Sequence, residues 1–347
     1  MFYNEETKIT SVVVHRVGSQ LDPEGGIYIS PAPIEIDDST EEALINFFLS
    51  SFKHEMYYQF YHEVSLGSNA AYIMTTSILD TDDLLYPQSV ILAKSLYAKC
   101  EKENITKGEF YVVKFQNCCY DGHLVNAVGL FKSEKKENFL TLSQEGDQIC
   151  VKSQVGVAIN KIDKGCLVLD TERTSGCVVL AFDSGKGDNA GYWIDEFLGL
   201  RQREDEYFQT QQVMQMCNDF VRNYMPQKYE ITKDLQAVLL NDSLNFFKNN
   251  DSFNLNDYSD EVITQTDVKE EFMNYKSHYE AEKGCKLEEQ FDISESAVKK
   301  QSRIMRSVIK LDKNFHIYVH GQSKLIHRGY DDKTNMSYYQ LFFTEEK

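Results

Sequence analysis

The first regular pattern along the chain is Ile9-Thr10-Ser11-Val12-Val13-Val14-His15-Arg16-Val17, a β-branched run closed by Gly18, which predicts a strand. Ser39 followed three residues later by Glu42, just ahead of Ala43, Leu44, Phe47, Phe48 and Phe52, has the spacing of a capping box and predicts a helix from about Thr40. A further helix is predicted over 87–100, with Pro87 tolerated in its first turn. The period then changes. Apolar-rich runs at 110–119 and 124–131 flank Tyr120-Asp121-Gly122-His123, and an Asp-Gly pair between such runs signals a tight hairpin. More strands are expected at 139–143, 147–159, 165–172 and 176–182.

Beyond Asp183 the spacing turns helical. Apolar positions 207, 208, 213, 214, 217, 220, 221 and 224 repeat at helical intervals until Pro226, which should break the helix. A helix over 231–249, a polar linker over 250–257 and a helix over 266–283 stopped by Gly284 follow, and strands return at 304–311, 314–320, 323–328 and 336–343. Strands that do not alternate with helices disfavour a doubly wound nucleotide-binding fold. The pattern predicts an α+β protein: a mixed, largely antiparallel sheet with packed helices, then a helical region and a C-terminal β-rich element. Residues 1–200 form the expected N-terminal α+β domain, and 201–347 the helical region with its basic β-rich end.

The 347 residues are 42% hydrophobic and 26% charged, with only 5 Pro and 18 Gly, which excludes collagen-like and disordered classes. The first eight residues contain Glu5 and Glu6 where a secretory signal needs a basic patch and an apolar core. No run reaches the roughly 18 apolar residues of a spanning helix, so no membrane partner is expected. Eight cysteines without a Cys-x-x-Cys pair read as reduced thiols in a cytoplasm.

Net charge is −18, so any site for a polyanion must be local. One stretch stands apart: between 297 and 330 lie Lys299, Lys300, Arg303, Arg306, Lys310, Lys313, Lys324 and Arg328, against the single acid Asp312. A solvated face is the bland account of that run. The strand Phe315-His316-Ile317-Tyr318-Val319-His320 alternates, with Phe315, Ile317 and Val319 on one face and His316, Tyr318 and His320 on the other. Beside basic residues, the second face has the chemistry of a stacking platform for nucleic acid. His316 and His320 would lie about 13 Å apart on a strand at ~3.3 Å per residue, too far to share one metal ion.

Other constellations are weaker. Cys118-Cys119-Tyr120-Asp121-Gly122-His123 places thiol, carboxylate and imidazole close in sequence, but strand cysteines serve mostly as small core residues and Asp-Gly is explained by the turn. Gly185-Lys186-Gly187 lacks the spacing of a phosphate loop. Asp80, Asp82 and Asp83 read as a solvated loop or cap, and His54 and His62 flank the aromatic stretch Met56-Tyr57-Tyr58-Gln59-Phe60-Tyr61. Tyr192, Trp193, Ile194, Phe197 and Leu198 read as helical core, with a subunit interface in a homodimer or a partner interface as the sharper alternative.

Several segments taken together resemble a known family. The hairpin region 110–131, Gly165-Cys166-Leu167-Val168-Leu169-Asp170, Tyr192-Trp193-Ile194-Asp195-Glu196-Phe197-Leu198-Gly199, and the stretch 272–291 with Gly284-Cys285-Lys286-Leu287-Glu288-Glu289 are similar in order and spacing to the bacterial nucleoid-associated proteins of the NdpA type. The resemblance implies a cytoplasmic protein of the bacterial nucleoid that associates with DNA and with nucleoid or DNA-topology proteins, without a catalytic motif or cofactor to carry over. It assigns no DNA contact to a residue. Composition alone makes that assignment: Lys299, Lys300, Arg303, Arg306, Lys310, Lys324 and Arg328 would contact phosphates, single- or double-stranded, while His316, Tyr318 and His320 would stack or hydrogen-bond. If 299–306 are helical, Lys299, Arg303 and Arg306 still share a face. The alternative is a non-catalytic interaction protein, recruited to the nucleoid through a protein partner that meets its acidic surface.

Overall fold

The computed structural model of the chain describes residues 2–21, 26–52, 56–101, 105–160, 162–185, 191–263, 265–305, 308–311, 313, 315–318 and 325–345, with only the backbone of Tyr3 and Glu145. The chain is α+β and divides into two compact units, Met1–Arg203 and Glu204–Lys347.

The first unit runs β1 (Phe2–Tyr3), β2 (Lys8–Val17), β3 (Ile27–Tyr28), α1 (Asp38–Leu49), β4 (Tyr58–Phe60), α2 (Ala70–Asp80), α3 (Leu85–Ala98), β5 (Gly108–Tyr120) and β6 (His123–Ser133). It continues with β7 (Lys136–Glu145), β8 (Gln148–Val157), β9 (Lys164–Leu169), β10 (Val178–Asp183), a π-helical stretch Tyr192–Leu198 and β11 (Leu200–Gln202). Nine of these strands form one sheet in the order β11-β4-β10-β9-β6-β5-β2-β3, with β1 added beside β5, and every described pairing is antiparallel. The hairpin at 121–122 forms as expected, Asp121 and Gly122 both taking positive φ (49° and 76°), which matches the twist of a two-residue turn to its strands.

Helices cover the sheet on both faces, which is why β5 and β9 read as nearly continuous apolar runs. Val112, Val128, Val168 and Val179 pack with Ile78, Leu92 and Trp193 on one side. On the other, Phe115, Phe131 and Leu167 meet Phe47 and Phe48 of α1, the Phe48 and Phe131 rings stacking at 4.5 Å. Tyr192, Trp193, Phe197 and Leu198 are part of the first of these cores, as helical core was expected to be. Two buried lysines flank Tyr192: Lys164 pairs with Asp183 at 2.6 Å and Lys132 with Glu134 at 2.9 Å. Burial pushes the Tyr192 phenol far up, so it stays protonated between them.

Two expectations move here. The cap of α1 is Asp37, whose carboxylate accepts from the Thr40 amide at 2.8 Å, so the helix starts two residues earlier than the Ser39 pattern indicates. Helix α2 was not expected at all. Asp80 and Asp82 are ion-pair partners of Arg173 and Lys114. His54 and 186–190, with the Lys186-Gly187 loop, lie outside the described residues.

The second unit runs α4 (Glu206–Asp219), a π-helical stretch Phe220–Tyr224, α5 (Met225–Lys228), α6 (Lys233–Asn249), β12 (Ser252–Asn254), α7 (Leu255–Val262), α8 (Thr266–Lys283), β13 (Gln290–Asp292) and α9 (Glu295–Gln301). Strands β14 (Val308–Leu311), β15 (Phe315–Tyr318), β16 (Ile326–Asp331) and β17 (Met336–Leu341) follow. Its core is largely aromatic, built from Phe220, Phe246, Phe247, Phe253, Tyr258, Phe272 and Phe291. Pro226 does not end the helix. The wider π turns precede it and Pro226 falls in the first turn of α5, where a missing amide hydrogen costs little. The expected linker at 250–257 is instead β12, paired with β13, and the start of α7, whose Asn254 cap accepts from the amides of Asn256 and Asp257.

Candidate nucleic-acid interface

The basic segment begins as helix. Ser294 caps α9 through the Ala297 amide, Ala297 and Val298 are buried, and Lys299 and Lys300 project from its last turn. The Lys300 ammonium lies 5.8 Å from the centre of the Tyr207 ring. Arg303 is exposed in the turn that follows, so the basic run leaves a helix and does not lead straight into a strand. Arg306, Val319, His320 and Lys324 lie outside the described residues.

Strands β14 and β15 form a hairpin in which Lys310 sits opposite His316 and Val308 opposite Tyr318, while Ile309 faces Ile317 and Leu311 faces Phe315. Antiparallel alternation therefore puts Lys310, His316 and Tyr318 on one face. The other face meets Ala237 of α6 and Ile326 of β16 in a small apolar cluster with Leu311, Ile317 and Tyr339. Phe315, on the same face as Ile317, is 63% exposed.

Lys310, His316 and Tyr318 line a cleft of about 380 Å³ with Val308, Ile304 and Arg222. Arg222 was not among the expected residues. It comes from the π-helical stretch after α4, where Phe220 and Val221 turn inward and Arg222 outward, its Nε donating to Asn218 Oδ1 at 2.9 Å. Partial desolvation lowers its pKa from the ordinary arginine value, yet a guanidinium keeps its charge at neutral pH.

A neighbouring cleft of about 420 Å³ shares Arg222 and Lys310 and adds Lys233, the first residue of α6. Lys233 Nζ donates to Gln236 Oε1 at 2.9 Å, and Gln236 Nε2 donates to the Val221 carbonyl at 2.8 Å, which ties the start of α6 to the π-helical stretch. A third, of about 820 Å³, holds Lys233, Lys310 and Arg328 with Phe315 and Tyr338 on its walls. Lys310 borders all three clefts. Lys299, Lys300 and Arg303 line none of them.

Arg222 and Lys233 left no usable signal in the sequence. Each is a single cation with no other basic residue within four positions on either side, and only the packing of helices against the hairpin brings them to Lys310.

The Cys118–His123 constellation is taken apart by its own hairpin. Cys119 lies opposite Leu124 and Tyr120 opposite His123, so successive side chains leave on opposite faces and the thiol of Cys119 points away from the imidazole. Cys118 is buried, and desolvation pushes its thiol up to about 12. Among the described residues no group of three or more His, Cys, Asp or Glu side chains is placed to hold a metal ion, and no helix is long and apolar enough to cross a membrane.

No curated protein matches the chain. The family model described as nucleoid-associated protein YejK matches it over residues 13–336, which takes in most of both units. With nearly its whole length covered by that model, the chain belongs to the nucleoid-associated protein YejK family.

Proposed function

We propose that the protein acts at the bacterial nucleoid by binding DNA directly through the clefts around Lys310. One observation carries the reading: Arg222, Lys233, Lys310 and Arg328 converge from four elements of the second unit beside the exposed rings of His316 and Tyr318, on a chain whose net charge is −18. Cations gathered this way meet phosphates, and the rings supply stacking surface for bases. Lys299, Lys300 and Arg303 would extend the contact along the backbone.

The test is fluorescence anisotropy of labelled duplex and single-stranded DNA across a salt series. Four phosphate contacts give a slope of log K against log salt near −3.6 on duplex, from ~0.9 per contact. The Arg222→Glu/Lys310→Glu double variant should reduce the slope to about −2 and weaken binding by at least ~10-fold at physiological salt. A flat salt response, or a double variant that binds like the wild type, would refute direct binding here. The excess of 54 acidic over 36 basic residues favours a second reading, recruitment through a basic partner. It predicts no retention on bare DNA and recovery of a DNA-binding protein by pull-down.

A further inference from the structure

Strands β7 and β8 form a two-stranded sheet of their own, with ten cross-strand pairs from Lys136 opposite Val157 to Glu145 opposite Gln148. Gly146 takes φ +64° in the two-residue turn. A lone hairpin is marginal in water, because half of each strand's hydrogen bonds and at least one face stay uncovered.

The register gathers the aliphatic side chains of this hairpin on one face. Leu140, Leu142, Ile149, Val151 and Val155 lie there beside the uncharged Asn138, Gln144 and Ser153 and, at its base, Lys136, and the five aliphatics are 64%, 68%, 72%, 58% and 67% exposed. The other face is mostly polar, with Thr141, Ser143, Lys152 and Gln154, and its one ring, Phe139, lies across Gly156, where a Cβ would meet the ring at 2.6 Å. Phe139, 46% exposed, is the one large apolar side chain on that face. The aliphatic face begins at Val157, half-buried against the core of the first unit, and then runs out with nothing over it among the described residues.

We propose that this hairpin is a dimerisation arm, its aliphatic face packing on the same face of a second copy of the chain. Area supports that occupant. Five aliphatic side chains at roughly 100 Å² each bury about 1,000 Å² across a two-fold pair, which reaches the lower limit of a specific interface. Charge supports it as well. Two copies at −18 repel over most of their surface, but the register places no acid on this face, so it is where a like-charged copy can approach. Aliphatic side chains aligned on a sheet face pack against the same side chains of a second sheet at ~10 Å spacing, and an isologous contact closes at two chains. Charge also argues against a basic partner, which would find no carboxylate here to meet.

The experiment is sedimentation equilibrium of the full chain, with a circular-dichroism melt on each sample. An interface of this size holds at micromolar Kd, so the wild type should show twice the chain mass above about 10 µM. The Leu142→Glu/Val151→Glu variant, which buries four carboxylates in a two-fold pair, should stay at one chain mass at ~100-fold higher concentration with an unchanged fold. Thr141→Glu on the polar face should dimerise like the wild type. A wild type of one chain mass across the range, or a dimer that survives Leu142→Glu/Val151→Glu, overturns the proposal.

Discussion

His15 is 1% exposed on β2, and its two nitrogens have fixed and opposite roles. Nδ1 accepts from the Ser30 amide at 3.2 Å. Nε2 lies 3.0 Å from Ser89 Oγ, which donates its own proton to the Tyr86 carbonyl at 2.7 Å and so must accept from the imidazole. The ring is neutral with its proton on Nε2. Charging it would aim a new Nδ1–H at an N–H, and burial holds its pKa below the ordinary histidine value. The unfolded chain takes up a proton near pH 6.5 while the folded chain does not, so stability is complete at neutral pH and lost as pH falls below that value. The wild-type Tm should therefore drop more between about pH 7 and pH 5 than that of His15→Asn, whose amide supplies one acceptor and one donor without titrating. Paired melts across that range check it. The β-branched run in the sequence placed His15 on a strand, but its proton is set by a serine 74 residues away, which no local pattern encodes.

Helix α2 shows what local pattern misses at the scale of an element. Its sequence, Ala-Ala-Tyr-Ile-Met-Thr-Thr-Ser-Ile-Leu-Asp, has β-branched residues of modest helix propensity and no charged face to set an amphipathic period. The hydroxyls that should disfavour a helix are absorbed by it: Thr75, Thr76 and Ser77 each donate to the carbonyl four residues back at 2.7 Å. The helix exists because Asn69 holds its start. Asn69 Oδ1 accepts from the Tyr72 amide, and Nδ2 donates to the carbonyls of Tyr61, Leu198 and Gly199, joining the cap to the segments before β11 and after β4. Replacing it by an isosteric carboxylate turns two buried donors into an acceptor among acceptors. Asn69→Asp should cost about 3 kcal/mol or more by denaturant unfolding, and the loss should shrink at low pH as the carboxylate protonates. Strand pairs with strong local turns, such as 121–122, were readable beforehand. Elements such as α2, β12 and the helix through Pro226 depend on partners distant in sequence. The candidate site divided the same way: Lys310, His316 and Tyr318 share a strand-pair face that alternation reveals, whereas Arg222 and Lys233 reach it by helix packing.

Over the whole molecule, charge and core are partitioned differently. Acid dominates the chain as a whole, while the cations around Lys310 all belong to the second unit, whose aromatic core is built from its own residues. The first unit has two cores, one on each face of its sheet. Separate cores predict two transitions in calorimetry. Phe272 is fully buried in the second unit's cluster, so Phe272→Ala should lower one transition alone, by about 3–5 kcal/mol. Phe110→Ala, at 0% exposure in the first unit, should lower the other. That assignment makes a sharper test of the DNA reading than affinity does. A ligand stabilises only the unit it binds, by about 2.7 kcal/mol at 100 times its Kd, so a short DNA duplex should raise the transition sensitive to Phe272→Ala and leave the Phe110-sensitive one in place. A rise in the first unit's transition instead would move the nucleic-acid contact away from Lys310 and onto a surface that the basic segment does not supply.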